Sequence, residues 1–225
     1  MMTTSDKYKT LETLSSGLYR ERGSKFISLA VPISAIDQVQ AVIDQAKKDH
    51  PKARHHCYAY RLGFDGLYFR ANDDGEPSGT AGRPILGQID AFGLTDVLIV
   101  VSRYFGGKLL GAAGLANAYK LSAVDALNSG QIVIKSLSAY FKAEFDYEIM
   151  GNLMQALANH QANLIEQQFE GKPFLIFSLP LSYDESKLDL IMANTMSMYP
   201  EEIAGKRSFS RLTITKLNWS PRGLS

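Results

Sequence analysis

Apolar positions change their spacing several times along the chain, and each change marks a different element. Residues 8–33 carry short runs of strand-forming residues broken at Ser15-Ser16-Gly17 and Gly23-Ser24, which predicts strands or a hairpin ending in Phe26 to Val31. Ile36, Val39, Ile43 and Ala46 then recur at helical spacing, with Ser34 as the N-cap and Pro51 as the stop. His56 to Leu62 and Leu67 to Ala71 flank Gly63-Phe64-Asp65-Gly66, the pattern of two strands on a tight turn. Residues 72–82 are too rich in turn formers for a strand, and they feed a helical pattern at Ile85, Leu86, Ile89 and Phe92. Thr95 to Val101 is a continuous run rich in β-branched residues, which fits a strand buried on both faces. It empties through Arg103-Tyr104-Phe105-Gly106-Gly107-Lys108 into a second helix, from about Leu110 to Asn128, with Gly130 as its stop.

From about residue 137 the order becomes strand, helix, strand, strand, helix, strand, with a turn at Gly171-Lys172-Pro173 between the middle strands. This βαββαβ order is ferredoxin-like, a complete unit that can fold alone. The expected class is therefore α+β, with domains at 1–134 and 135–219 and a disordered tail at 220–225.

Composition narrows the function classes. The chain has 225 residues, 45% of them apolar, enough for two modest cores. Its formal net charge of +1 advertises neither nucleic acid nor an acidic membrane surface, so any basic patch must be local. The single cysteine, Cys57, cannot form an internal disulfide. The start, Met1 to Thr10, is polar, and no apolar run approaches the ~18 residues of a membrane span. These features predict a cytoplasmic protein with no membrane partner.

Two glycine-rich turns carry the candidate chemistry. In the first, Ser78 or Thr80 can cap the following helix, Gly79 and Gly82 permit close backbone approach, and Arg83 lies in the first helical turn, where free amides favour anions. In the second, a buried strand passes through Gly106 and Gly107 to a helix, with Arg103, Tyr104 and Lys108 at the bend. The same residues also suit an ordinary cap and close helix packing. Asp73, Asp74 and Glu76 read either as hard-cation ligands or as a solvated turn. His55, His56 and Cys57 alternate across a strand without zinc spacing, and Cys57 reads as core. Neither Ser78 nor Ser102 has a recognisable base, so no catalytic residue, metal site or cofactor is expected. Arg54, His56, Tyr58 and Tyr60 at period two, near Arg61 and Arg70, interleave rings and cations as single-stranded nucleic-acid sites do, though such tyrosines also serve as core.

The segments Asp73-Asp74-Gly75-Glu76-Pro77-Ser78-Gly79-Thr80-Ala81-Gly82-Arg83-Pro84-Ile85-Leu86 and Val100-Val101-Ser102-Arg103-Tyr104-Phe105-Gly106-Gly107-Lys108-Leu109-Leu110-Gly111 resemble the Impact family, in its bacterial YigZ branch. The resemblance spans the chain: an Impact-type domain to about residue 130, then a small C-terminal domain. It implies a first domain similar to domain IV of elongation factor G, with a left-handed βαβ crossover of the ribosomal-protein second-domain kind, and a second similar to domain V. Eukaryotic members of the family regulate translation through protein partners in the amino-acid starvation pathway.

Together these readings predict a non-enzymatic, translation-related binding protein. Its expected face comprises Ser78, Thr80, Arg83, Arg103, Tyr104, Gly106, Gly107 and Lys108, and its expected partner is RNA, the ribosome or a translation protein. The alternative is an enzyme for a small phosphorylated or carboxylated molecule or a nucleotide, held by the same turns, with Asp74 on a metal ion.

Overall fold

The computed structural model describes residues 7–181, 183 and 185–217; the expected tail at 220–225 lies outside them. The chain is of mixed α+β class with several sheets, and residues 7–135 form one compact unit while residues from 136 onward belong to another.

In the first unit, β1 (Lys7–Leu11) is followed by β2 (Ser15–Glu21), β3 (Ser24–Pro32), α1 (Asp37–Asp49), β4 (His55–Leu62), β5 (Tyr68–Asn72), α2 (Gly82–Ala91), β6 (Val97–Tyr104), α3 (Gly111–Ser129) and β7 (Ile132–Ser136). Five strands form one sheet in the order β2-β3-β6-β4-β5, with β6 at its centre. Because β3 and β4 each run antiparallel to β6, they are parallel to one another, and α1 connects them.

The unbroken apolar run predicted a strand covered on both sides, and β6 is one. Val97, Ile99 and Val101 pack with Ile85 and Ile89 of α2 and Ala118 and Tyr119 of α3. Leu98 and Val100 point the other way, into a second cluster with Val39, Ile43 and Ala46 of α1. Tyr60 is buried in that second cluster and Tyr58 packs against it, so the period-two tyrosines are core side chains and not a base-stacking platform. Arg61 is held by Asp90, its Nε 2.8 Å from Oδ1.

Some local expectations are corrected. Ser34 does not cap α1 with its side chain; instead its backbone N–H donates to Gln38 Oε1 at 2.7 Å. After Gly130, β7 pairs with β1 in a two-stranded sheet, and Glu12 N–H donates to Gln131 O at 2.9 Å.

The second unit contains β8 (Ser138–Phe145), a short 3-10 turn, α4 (Met150–Asn159), β9 (Asn163–Gln168), β10 (Phe174–Pro180), α5 (Glu185–Met196), α6 (Pro200–Ile203), β11 (Ser208–Phe209) and β12 (Leu212–Leu217). Its strand order is β11-β12-β8-β10-β9, with every neighbouring pair antiparallel. Alternate residues of β8 and β10, among them Phe141, Phe145, Leu175 and Phe177, pack on Leu153 and Leu157 of α4 and Ile191 and Met192 of α5. The last expected strand is split into a hairpin, β11 with β12.

Candidate functional site

The turn between β5 and α2 is organised by one carboxylate. Asp73 Oδ1 accepts from the amides of Ala81 and Gly82 at 2.9 and 2.8 Å, and Oδ2 accepts from Gly79 N–H at 2.8 Å. Neither Ser78 nor Thr80 caps α2: Thr80 is buried and donates its hydroxyl to Pro77 O at 2.6 Å, while Ser78 is exposed. The amides expected to cradle a foreign anion are thus filled by the chain's own acid. Burial raises the Asp73 carboxyl, but the amide donors of Gly79, Gly82 and Ala81 and the Arg83 charge outweigh it and hold it below the usual range. Arg83 itself is exposed.

Asp74 and Gly75 take positive φ, at 41° and 84°, which turns the chain so that neighbouring acids face different partners. Asp74 Oδ2 accepts from His56 N–H at 2.6 Å. Glu76 is buried, and its Oε1 accepts from Arg103 Nη1 at 2.6 Å and from the Tyr119 hydroxyl at 2.8 Å. The three carboxylates therefore serve three separate local networks and do not converge on one cation. Among the described residues no group of three His, Cys, Asp or Glu side chains is placed to hold a metal ion.

Arg103 is 5% exposed and lies between two rings, its guanidinium carbon 5.5 Å from the Phe26 centroid and 5.6 Å from that of Phe105. Cys57 is fully buried, its Sγ 3.3 Å from the Tyr119 hydroxyl and 2.9 Å from Asp73 O. Burial pushes both the Cys57 thiol and the Tyr119 phenol far up, so both stay protonated. The network Cys57–Tyr119–Glu76–Arg103 is a buried polar core that ties β4, the first glycine-rich turn, β6 and α3 together.

The two glycine-rich turns do meet, but through that buried ion pair and not as a shared positive pocket. The second turn divides further. Gly106 packs on the β2–β3 turn, where a Cβ would lie 2.0 Å from Gly23 C. Tyr104 is partly buried and its hydroxyl meets His50 Nδ1 at 3.1 Å. Gly107, with φ 82°, and Lys108 are exposed.

Beside the pair lies a cavity of about 370 Å³, lined by Arg54, His55, Glu76, Arg103, Phe105 and the start of α3. Arg54 stacks its guanidinium over Phe105, 5.9 Å from the centroid. His55 Nδ1 donates to Asp74 O at 2.8 Å, and its Nε2 lies 4.0 Å from Glu76 Oε1. Arg54, His55 and Phe105 are visible in the sequence only as scattered cations and rings, and Tyr119 carries no signal there beyond its place in a helix.

Among known proteins, residues 22–127 match the Impact N-terminal domain. An IMPACT family member of Haemophilus influenzae is 35% identical over 158 residues, covering 69% of this chain and 77% of that protein. IMPACT family member YigZ of Escherichia coli is 31% identical over 159 residues, covering 70% and 78%. A crystal structure of an hypothetical protein superposes with a TM-score of 0.62 at 24% identity, over 95% of this chain and 98% of that one, a likeness of fold alone.

Proposed function

Because the chain belongs to the Impact family, in the branch that includes YigZ, we propose that it is a cytoplasmic, translation-related binding protein whose first unit contacts RNA. Family membership supports the regulatory setting, and the analogy with domains IV and V of elongation factor G belongs to the same proposal. The observation that carries RNA as the ligand is Arg54 stacked over the exposed Phe105, with Lys108 exposed three residues further on. Neither cation has an acidic partner among the described residues. An exposed ring with a cation stacked on it suits single-stranded nucleic acid, where bases stack and phosphates pair.

Within this reading the roles of the expected residues divide. Arg54, Phe105 and Lys108 make contact, with Arg83, Ser78 and Gly107 as further exposed positions of the glycine-rich turns. Arg103, Thr80, Tyr104 and Gly106 hold the turns in shape. The test is binding of the whole chain to a fluorescent single-stranded RNA and to ribosomes at two salt concentrations. Affinity should fall steeply with salt, and Arg54→Ala or Lys108→Ala should each reduce the salt slope by about one unit. Binding that ignores salt, or that both variants leave unchanged, refutes the proposal.

A further inference from the structure

The two long helices behind the glycine-rich turns start differently. The opening amides of α2 are satisfied by Asp73, a carboxylate supplied by the chain. The 19-residue α3 has no side-chain cap and no acid in its first turn. Its start at residues 109–112 lines the 370 Å³ cavity. A helix start carries partial positive charge and unmet N–H donors. The fold thus shows at α2 the group that suits such a start, and at α3 leaves the donors uncapped beside a cavity.

A second observation is independent of the helix. Arg103 lines the same cavity and is 95% buried, with Nη1 committed to Glu76. Its Nε is buried and has no hydrogen-bond partner among the described residues. A buried guanidinium donor without an acceptor is rare in native proteins and calls for a partner such as a water, an ion or a ligand atom. Arg54 adds a cation at the cavity wall, so two arginines there face one acid, Glu76. Apart from His55, the remaining lining is apolar, chiefly Phe105, Leu109, Leu110 and Leu115.

We infer that this cavity is a binding site for a small organic acid, with its carboxylate between Arg54, Arg103 and the opening amides of α3, and its apolar body against Phe105 and Leu115. The volume lies in the range of small-molecule sites, and a few convergent polar donors in an apolar wall are the usual means of fixing orientation. The inference does not depend on RNA contact, and the measurement below contains no RNA, so either proposal can fail alone.

The test is titration of the whole chain by calorimetry and protein-observed NMR with phenylacetate, its neutral isostere phenylacetamide, and phenyl phosphate. Phenylacetate should bind saturably with a dissociation constant on the order of millimolar. Phenylacetamide should bind at least about tenfold more weakly, because charge-assisted hydrogen bonds are lost. Leu109 is 84% exposed, so Leu109→Asp can add a competing carboxylate at the cavity wall without unpacking the core. That variant should melt like the parent and bind phenylacetate at least about fivefold more weakly, as should Arg54→Gln. Equal binding of acid and amide, no saturation by the acid, or no effect of Leu109→Asp overturns the inference. Phenyl phosphate binding more than about tenfold tighter than phenylacetate overturns the carboxylate assignment.

Discussion

Replacing Asp73 by alanine should be among the most damaging single changes in the first glycine-rich turn. Three amides, those of Gly79, Ala81 and Gly82, lose their acceptor at once. A hydrogen bond to a charged group contributes about 1.5–3 kcal/mol, but water reaches part of this turn and the three bonds share one carboxylate, so the loss should be about 2–4 kcal/mol and not the full sum. Asp73→Asn keeps an acceptor for Ala81 and Gly82 and turns its amide toward Gly79 N–H, so it should cost about half as much. The pH dependence follows from the depressed native pKa. Above the unfolded value the unfolded chain and the native turn are both ionised and the full contribution is present; it is lost as pH falls through the lower native value. Calorimetric melts of parent, Asp73→Ala and Asp73→Asn at pH 7 and at pH 4 to 3 measure this directly. The parent's lead over Asp73→Asn should be largest at neutral pH and narrow toward pH 3. A melting point for Asp73→Ala within about 1 °C of the parent at pH 7 would refute the capping argument, since a loss of this size should shift it by several degrees.

Three further outcomes are expected. Glu76→Gln leaves Arg103 buried without its counter-charge and should destabilise by about 3–5 kcal/mol, read from urea unfolding. Gly106→Ala places a methyl on the Gly23 backbone and should destabilise by about 1–3 kcal/mol, whereas Gly87→Ala, inside α2 with open space around its Cβ, should stabilise by about 0.5–1 kcal/mol; equal effects would refute the packing argument. Burial lowers the His56 pKa, with Asp74 opposing and Lys47, His50 and His55 adding to the shift, so the unfolded chain takes up its proton first and stability should decline as pH falls below about 6.5. That decline should be reduced in a His56→Gln variant.

What could be read from the sequence was whatever depends on near neighbours. β6 was legible because the five apolar residues Val97 to Val101, without a polar break, must be covered on both sides. The βαββαβ order of the second unit was legible because each period persists long enough to count. The candidate site was not, because its bonds join distant residues. Glu76 and Arg103 are 27 positions apart, and Glu76 and Tyr119 are 43 apart. The cap of α2 escapes the usual rule, which looks to the residue just before the helix, while here an acid eight and nine positions upstream does the work. Gly106 is recognisable in the sequence as a position needing close approach, but its neighbour is the Gly23 backbone and not a ligand.

The ribbon of β1 and β7 brings the first and last strands of the first unit side by side. A segment whose two ends are fastened together is a closed module. New ends can be cut into an exposed turn such as the one before β5 and the old ends fused, with the hydrogen-bonded ladder holding the seam. Such a layout also lets whatever follows residue 136 be exchanged in evolution without reopening the core that carries the site.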